Sequence, residues 1–387
     1  MLAAILRRCL PTILLLGGAS ALLVATDRTR SARPLPAVAV LQQTSSTVLD
    51  DAVTGMLAGL AERGFVDGKT VTVHRFNAQG DMAQGNAIAR EIVGGPFDLV
   101  LTSSTPSLQQ VANANSRGRL RHVFAAVADP FSAGVGLDRA DPLTHPAWLV
   151  GYGSLAPVDF TFAIAKRLHP GLRKVGVAHN NAESNSRRFM DLARTSCRKR
   201  GIELLEVPVE NSSGVIEAVQ STIARGAEAI FCPGDTTVIS AIDAVIGTAA
   251  KAGIPVFTVN PGKPDRGTLF DVGFNFLEVG LVAGRLAGDV LSGADPATVP
   301  IRETAGEIPP YLTLNRVAKG VDRTVWRIPD DLVGQARFVI DADGAHEQQG
   351  AVLEGPFDEP TEGDDGPRGG VGPGGVRAAD AAGPPRR

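Results

Sequence analysis

The fold is decided by residues 36–65, whose sequence is PAVAVLQQTSSTVLDDAVTGMLAGLAERGF. Residues 37–41 form an unbroken apolar run, which is typical of a strand covered on both faces. The hydroxyl-rich residues 44–47 can cap a helix, and the acidic residues that come next stand where the helix dipole favours negative charge. Apolar side chains then recur on one helical face until Gly64 ends the helix. The stretch therefore predicts a buried strand followed by an amphipathic helix.

The same alternation of strand and helix continues through most of the chain. Further apolar runs predict strands at residues 70–76, 98–101, 122–127, 174–178, 202–207, 229–232 and 254–259. Strands joined by helices form parallel sheets with right-handed crossovers. The chain is expected to cross between two Rossmann-like lobes near Gly151 and again near Gly273. We therefore predict an α/β fold in which residues 35–151 and 273–345 form the first lobe and residues 152–272 form the second.

Length and composition agree with a two-domain globular protein and argue against two function classes. A chain of 387 residues suits two domains, and 44% of the residues are hydrophobic. The 38 basic and 41 acidic residues give a net charge of -3, without the basic stripe that a nucleic-acid binder needs. The three cysteines and six histidines match no zinc spacing, and Cys197 and Cys232 are expected to be buried thiols. Neither nucleic-acid binding nor metal chemistry is expected.

The two ends of the chain are predicted to lie outside the fold. Arg7 and Arg8 precede an uncharged apolar stretch at residues 10–25, which has the length of a signal peptide and is short for a spanning helix. The cleavage site is a poor match, so residues 1–34 are either a signal peptide or an N-terminal anchor. Residues 355–387 are dominated by glycine, proline, alanine and charged residues, which predicts a disordered tail. We therefore expect an exported protein.

Polar side chains follow the predicted strands at the end where parallel sheets bind ligands, beside helix N-termini. The candidate ligand-binding residues are Ser103, Ser104, Thr105, Asp129, Asn180, Asn185, Ser186, Asp235, Thr236 and Asn260. The hydroxyls and backbone N–H groups of residues 103–105 could hold a carboxylate, and Asp129 or Asp235 could hold an ammonium group. Each residue taken alone could equally be an ordinary helix cap. As a set, they suit a neutral or zwitterionic ligand.

The sequence carries no recognisable catalytic or cofactor-binding motif. The Gly-Lys-Thr of residues 68–70 resembles part of a phosphate loop, but it precedes a strand and is interpreted as a turn. No Gly-x-Ser-x-Gly elbow occurs, and no Gly-x-Gly-x-x-Gly follows the first strand. His179 has no nucleophile beside it in the sequence. We therefore expect a protein that is not an enzyme and that uses no cofactor or metal.

Several motifs occur in the order found in a known family. They are GFVDGK at 64–69, TSSTP at 102–106, ADP at 128–130, HPGLRKVGV at 169–177, NNAESNS at 180–186, DTTV at 235–238, IPVF at 254–257 and VGFNF at 272–276. On these motifs, residues 36–341 resemble the substrate-binding proteins of bacterial ABC importers, in the branch with tryptophan- and phenylalanine-binding members. The resemblance implies a periplasmic-binding-protein type 1 architecture, in which two hinged lobes joined by three crossovers close on a ligand.

Three departures from the family pattern bear on the ligand. His179 and Asn181 stand where the family usually has a tyrosine and a proline, and Asn260 stands where it often has an acidic residue. The Gly-Asn-x-Thr-Gly stretch common before the first crossover is AWLVG at residues 147–151. These differences weaken the case for an aromatic amino acid as ligand, and they leave the expected fold unchanged.

The favoured function is that of the exported solute-binding component of an ABC transporter, in the periplasm or cell envelope. Such a protein would bind a small polar or amino-acid-like ligand between its lobes and present it to the transporter permease. The alternative is a ligand sensor of the same fold, anchored to the membrane through residues 1–34. The poor cleavage site motivates this alternative.

Overall fold

The computed structural model describes residues 35–264, 266–304, 308–351 and 353. The deciding stretch folds as expected, with strand β1 (Ala37–Gln42) followed by helix α1 (Thr47–Glu62). Ser46 is the N-cap of α1, because its hydroxyl accepts a hydrogen bond from the Leu49 N–H group. The central side chains of β1 are fully buried, which explains the unbroken apolar sequence of this strand.

The first sheet has five parallel strands in the order β2-β1-β3-β4-β5. Its other strands are β2 (Thr72–Asn77), β3 (Leu99–Ser103), β4 (Arg121–Val127) and β5 (Leu149–Gly153). Helix α2 (Met82–Gly94) connects β2 to β3, and helix α3 (Thr105–Ala114) connects β3 to β4. The strand order reverses between β1 and β3, and ligands of open α/β sheets bind at the carboxyl ends of the strands at such a switch point.

The second sheet has eight strands in the order β13-β12-β11-β10-β9-β8-β6-β7. The strands are β6 (Lys174–His179), β7 (Glu203–Pro208), β8 (Ala229–Cys232), β9 (Val256–Thr258), β10 (Phe270–Gly273), β11 (Tyr311–Asn315), β12 (Phe338–Asp341) and β13 (Gly344–Glu347). The helices along its parallel part are α4 (Val158–Leu168), α5 (Ser184–Arg200), α6 (Val215–Ala224), α7 (Thr236–Ile239) and α8 (Ile242–Lys251). Strands β6 to β10 run parallel, as predicted.

Helix α9 (Phe276–Leu291) leaves the second sheet and packs against α1 beside the first sheet. Each of the two helices contributes two glycines to the contact: Gly55 and Gly59 from α1, and Gly280 and Gly284 from α9. A Cβ atom added at any of these four positions would overlap the backbone of the facing helix. The close approach of α1 and α9 therefore requires glycine on both sides.

The strand pairing corrects the predicted extent of the first lobe, which ran to residue 345. Isolated bridges hold residues 302 and 304 beside the end of β5, but β11, β12 and β13 belong to the second sheet. Strand β11 is antiparallel to β10, and helix α10 (Asp330–Gln335) leads on to β12. The alternation of strands and helices cannot reveal this return, because the pairing of β11 with β10 depends on residues far apart in the sequence.

The chain thus passes between the lobes three times: after β5, after β10, and between residues 304 and 311. The first lobe comprises residues 35–153 and 274–304, and the second comprises residues 158–273 and 311–347. Each sheet has its own hydrophobic core. The predicted α/β fold with two lobes is confirmed.

Three further expectations concern the thiols and the chain ends. Cys197 and Cys232 are buried free thiols, as predicted. The signal peptide or anchor predicted at residues 1–34 and the tail predicted at residues 355–387 lie outside the described residues. Among the helices of the described part of the chain, none is long and apolar enough to cross a bilayer.

Candidate ligand-binding site

A cavity lies between the two lobes, and its space, including the part open to solvent, has a volume of about 430 Å³. The first lobe contributes residues that follow β1, β3 and β4, together with the start of α9. The second lobe contributes the first turns of α5 and the residues that follow β8 and β9. The crossing segment contributes Ser154. The cavity is therefore built at the carboxyl ends of strands from both sheets, where the sequence places polar residues.

The N-terminus of α3 forms the polar part of the first-lobe wall. Ser104 is its N-cap, and the Ser104 hydroxyl accepts a hydrogen bond from the Ser107 N–H group at 3.2 Å. Ser104 has a φ of 123° and nearby Ala126 has a φ of 54°, which are unusual values for residues with a Cβ atom. Backbone strain of this kind is concentrated at functional sites. A helix N-terminus beside a cavity offers backbone N–H groups and a positive dipole end to an anion.

Two asparagine side chains form the polar part of the second-lobe wall. Asn185 Nδ2 donates to the Gly234 carbonyl at 3.0 Å and to Glu183 Oε2 at 3.3 Å, which leaves Asn185 Oδ1 as a buried acceptor with no partner. Asn260 Nδ2 is a buried donor, and neither it nor Asn185 Oδ1 has a hydrogen-bond partner among the described residues. Both side chains line the cavity, and leaving buried polar groups unpaired costs free energy. The second-lobe wall therefore carries one unpartnered buried acceptor and one unpartnered buried donor in the described part of the chain.

Asp235 is held by the protein itself, although it borders the cavity. Its Oδ1 accepts a hydrogen bond from the Val238 N–H group at 2.6 Å, so the residue caps the short helix α7. Its Oδ2 accepts hydrogen bonds from the Ser186 hydroxyl at 2.9 Å and from the Asn180 N–H group at 3.2 Å. Complete burial, with a contribution from the charge of Glu183, raises the pKa of Asp235 to about 8.

The buried carboxylate of Glu183 holds the same turn from the other side. Glu183 Oε2 accepts a hydrogen bond from the Thr236 N–H group at 2.8 Å. Glu183 Oε1 accepts from the Thr237 N–H group at 3.0 Å and from the Thr237 hydroxyl at 2.7 Å. Glu183 therefore joins the start of α5 to the start of α7. From the sequence, Glu183 was noted only within the motif at residues 180–186, and its role in holding this turn was not predicted.

Apolar side chains form much of the remaining wall. They come from the first turn of α1, from α5, from α7 and from α9, and they are Val48, Leu49, Phe189, Ile239 and Phe276. Phe189 and Phe276 were not predicted as site residues, because an apolar helical pattern alone does not distinguish a core residue from one that faces a cavity. The cavity therefore combines polar groups with two aromatic rings, one from each lobe.

Six of the ten predicted site residues line the cavity: Ser104, Thr105, Asn185, Asp235, Thr236 and Asn260. Four do not: Ser103, Asp129, Asn180 and Ser186. The Ser103 hydroxyl donates to the Leu49 carbonyl at 3.3 Å, while Asn180 and Ser186 lie behind the cavity wall as donors to Asp235. These three residues support the wall through hydrogen bonds within the protein.

Asp129 was predicted as a contact for a ligand ammonium group, but protein cations surround its carboxylate. Arg139 Nη2 donates to Asp129 Oδ2 at 2.7 Å, and Arg188 Nε lies 3.3 Å from the same oxygen. Asp129 Oδ1 accepts hydrogen bonds from the N–H groups of Phe131 and Ser132. Sequence position did not reveal these arginines, because Arg139 folds back from ten residues further along the chain and Arg188 approaches from α5 of the other lobe.

Comparison with known proteins places the chain among transport proteins. The family model for ABC transporter substrate binding proteins matches residues 37–318. A tyrosine-binding protein of Clostridioides difficile (strain R20291) is 29% identical over 265 residues, which cover 68% of this chain and 75% of the relative.

Solved structures share the fold. A conserved domain protein from Vibrio cholerae is 28% identical with a TM-score of 0.72, covering 79% of this chain and 99% of its own. An ABC domain from Streptococcus pneumonia in complex with L-Trp is 24% identical with a TM-score of 0.70, covering 79% of this chain and 100% of its own. The family match covers most of the chain and includes both lobes, so the chain belongs to the ABC transporter substrate-binding protein family.

Proposed function

We propose that this chain is the exported binding component of an ABC importer and that its ligand is an amino acid with an apolar, aromatic-sized side chain. The observation that carries the proposal is the unpaired pair of buried amide atoms, Asn185 Oδ1 and Asn260 Nδ2, in a cavity that also borders the N-terminus of α3. These groups provide an acceptor, a donor and a positive dipole end. A zwitterionic head group satisfies all three, because it carries both N–H donors and a carboxylate.

The apolar wall selects the side chain of the ligand. Phe189 and Phe276 face the cavity from opposite lobes, and aromatic pairs are favoured beyond the burial of their area. No carboxylate among the cavity residues is left for a cationic ligand side chain, since Asp235 is already bonded to three protein donors. The names of two relatives, a tyrosine-binding protein and an ABC domain in complex with L-Trp, agree with an aromatic side chain.

Binding is coupled to closure of the two lobes. Ligand groups that touch both walls stabilise the closed state over the open state, and a permease that recognises the closed state then receives loaded protein. The chain crossings after β5 and after β10 form the hinge of this motion. The proposal contains no catalytic step, which agrees with the family's role as a binding component of transport.

Export through residues 1–34 belongs to the same proposal. An anchored sensor of the same fold gains no support from the relatives described above. N-terminal sequencing of the mature protein separates the two possibilities, because a chain that retains Met1 and stays with the membrane would support the anchored form.

Calorimetric titration with free amino acids tests the ligand class. We expect L-tryptophan, L-tyrosine or L-phenylalanine to bind, and glycine, L-aspartate and L-lysine to bind at least tenfold more weakly. Replacing Asn185 with alanine should weaken binding by about ten- to a hundredfold, because the ligand donor then loses its buried acceptor. The matched control is Asn86→Ala, at an exposed position on α2, which should leave the affinity unchanged. Binding of a charged amino acid in preference to an aromatic one would contradict the proposal.

A further inference from the structure

Arg188 joins the two lobes through an ion pair beside the cavity. It lies on α5 of the second lobe, and its Nε atom is 3.3 Å from Oδ2 of Asp129, which follows β4 of the first lobe. The side chain of Asp129 is 2% exposed and that of Arg188 is 16% exposed. Around this pair, α5 also contacts α3 and the turn at Phe131–Ala133. Arg188 is therefore part of the contact that forms when the lobes come together.

The charge of Asp129 is balanced within the first lobe. Arg139 donates to its carboxylate at 2.7 Å and also pairs with Glu303. The N–H groups of Phe131 and Ser132 donate to its other oxygen at 3.1 and 3.3 Å. All of these partners belong to the first lobe, so Asp129 keeps them when the lobes separate. When the lobes separate, the Asp129 carboxylate therefore still has hydrogen-bond donors and a cationic partner.

The two partners therefore respond differently when the lobes separate. Removing one member of a buried ion pair is costly when the other stays buried and unpaired. Here the carboxylate keeps its first-lobe cations and N–H donors, and the Arg188 guanidinium passes into water. The contact thus adds a modest preference for the closed state, and it does not lock the lobes together.

The position of the pair connects it to ligand binding. Ala128 precedes Asp129 and Phe189 follows Arg188, and both of these neighbours line the cavity. The movement that brings Arg188 to Asp129 is therefore the movement that brings the two cavity walls together. When only the closed state binds ligand tightly, the apparent dissociation constant is inversely proportional to the fraction of closed protein. A smaller closed fraction therefore means weaker apparent binding.

We propose that Arg188 is an affinity-setting residue that acts through lobe closure: it favours the closed state of the ligand-free chain and slows the release of bound ligand. It makes no contact with the ligand. This inference goes beyond the proposed function, because the bias toward closure exists whatever small molecule the cavity holds.

The test compares three charge states at position 188 in the full mature chain. Small-angle X-ray scattering without ligand should give a radius of gyration that increases from the wild type to Arg188→Gln and again to Arg188→Glu, since glutamate repels Asp129. With L-tryptophan as the probe, the dissociation rate should rise about tenfold in Arg188→Gln while the association rate changes little. The matched controls are Arg187→Gln and Arg187→Glu, because Arg187 is exposed on the same helix and its side chain donates to the Asn181 carbonyl of its own lobe.

The outcomes separate this inference from the proposed function. If L-tryptophan does not bind but the radius of gyration rises in the stated order, the closure contact stands and the ligand assignment fails. If the radius stays the same in all variants at position 188, or changes equally in those at position 187, the inference is overturned. Circular dichroism and thermal unfolding confirm that each variant is folded, and a variant that is unfolded is replaced by Arg188→Lys, which should fall between the wild type and Arg188→Gln.

Discussion

Replacing Gly234 with alanine is expected to damage the ligand-binding site while the fold persists. Gly234 precedes Asp235 in the turn after β8, and its φ is outside the left-handed region, so alanine meets no backbone strain there. The added Cβ atom would lie 2.7 Å from Cζ of Phe189 and 3.3 Å from Nδ2 of Asn260. Both of these groups line the cavity. The substitution therefore acts on the second-lobe wall through contact alone.

The size of the effect follows from these distances. Carbon atoms pack best at about 3.5–4.0 Å, so the Phe189 ring must move by roughly 1 Å. Overpacking of this kind costs about 1–3 kcal/mol. We expect the free energy of unfolding to fall by this amount. Because the displaced ring and amide border the ligand space, we also expect the dissociation constant for L-tryptophan to rise by about ten- to a hundredfold.

Urea unfolding and calorimetric titration measure the two quantities on the same preparation. The control is Gly247→Ala on α8, where an added Cβ atom would meet nothing within 4 Å. This control should gain about 0.5–1 kcal/mol from helix propensity and keep the affinity of the wild type. If Gly234→Ala bound L-tryptophan and L-tyrosine as tightly as the wild type does, Phe189 and Asn260 would not be walls of the ligand site.

Three other perturbations probe the fold and the buried groups. Gly280→Ala places a Cβ atom against a backbone carbonyl of α1, which cannot move aside. The free energy of unfolding in urea should therefore fall by about 3 kcal/mol. A loss below about 1 kcal/mol would show that the two helices can move apart at little cost in stability. Burial raises the pKa of Asp235 to about 8, so from about pH 4 to pH 8 the unfolded chain releases a proton that the folded chain keeps, and the free energy of unfolding falls with rising pH across this window. Asp235→Asn should remove that part of the slope, as measured by urea unfolding at pH 5 and pH 8, and a variant with the wild-type slope would disagree with this assignment. Burial raises the pKa of the Cys197 thiol to about 12 and that of the Cys232 thiol still higher. Iodoacetamide at pH 8 should therefore alkylate both thiols only after unfolding in urea, as detected by mass spectrometry.

The parallel strands and the helices between them could be predicted because their signals are local. The centre of β1 is an unbroken apolar run, and the hydroxyl cap Ser46 follows within a few residues. The pairing of strands β11 to β13 is not a local signal, since they join the second sheet from a later part of the chain and partly in the antiparallel direction. The glycine contact between α1 and α9 was also missed, because isolated glycines in helices do not reveal which helix lies opposite them.

The residues of the candidate site that could be predicted are those whose position is determined by the end of a strand. Three predicted residues lie just after strands or in the first turn of a helix, and they line the cavity: Ser104, Asn185 and Asn260. Asp129 has the same kind of position, yet Arg139 from the same connection and Arg188 from α5 surround it. The sequence left open whether each residue is a helix cap or a ligand contact. Asp235 caps a helix and also borders the cavity, so the two roles do not exclude each other. Such distinctions depend on which side chains meet in space.

The contact between α1 and α9 also determines the point in translation at which the first lobe can complete its folding. The strands of its sheet are all made by residue 153, but α1 has no partner for its glycine face until α9 ends at Leu291. Between these two points the ribosome produces the whole parallel part of the second sheet. A nascent chain therefore carries an incomplete first domain for more than a hundred residues of elongation, and that domain matures only after most of its neighbour has been translated.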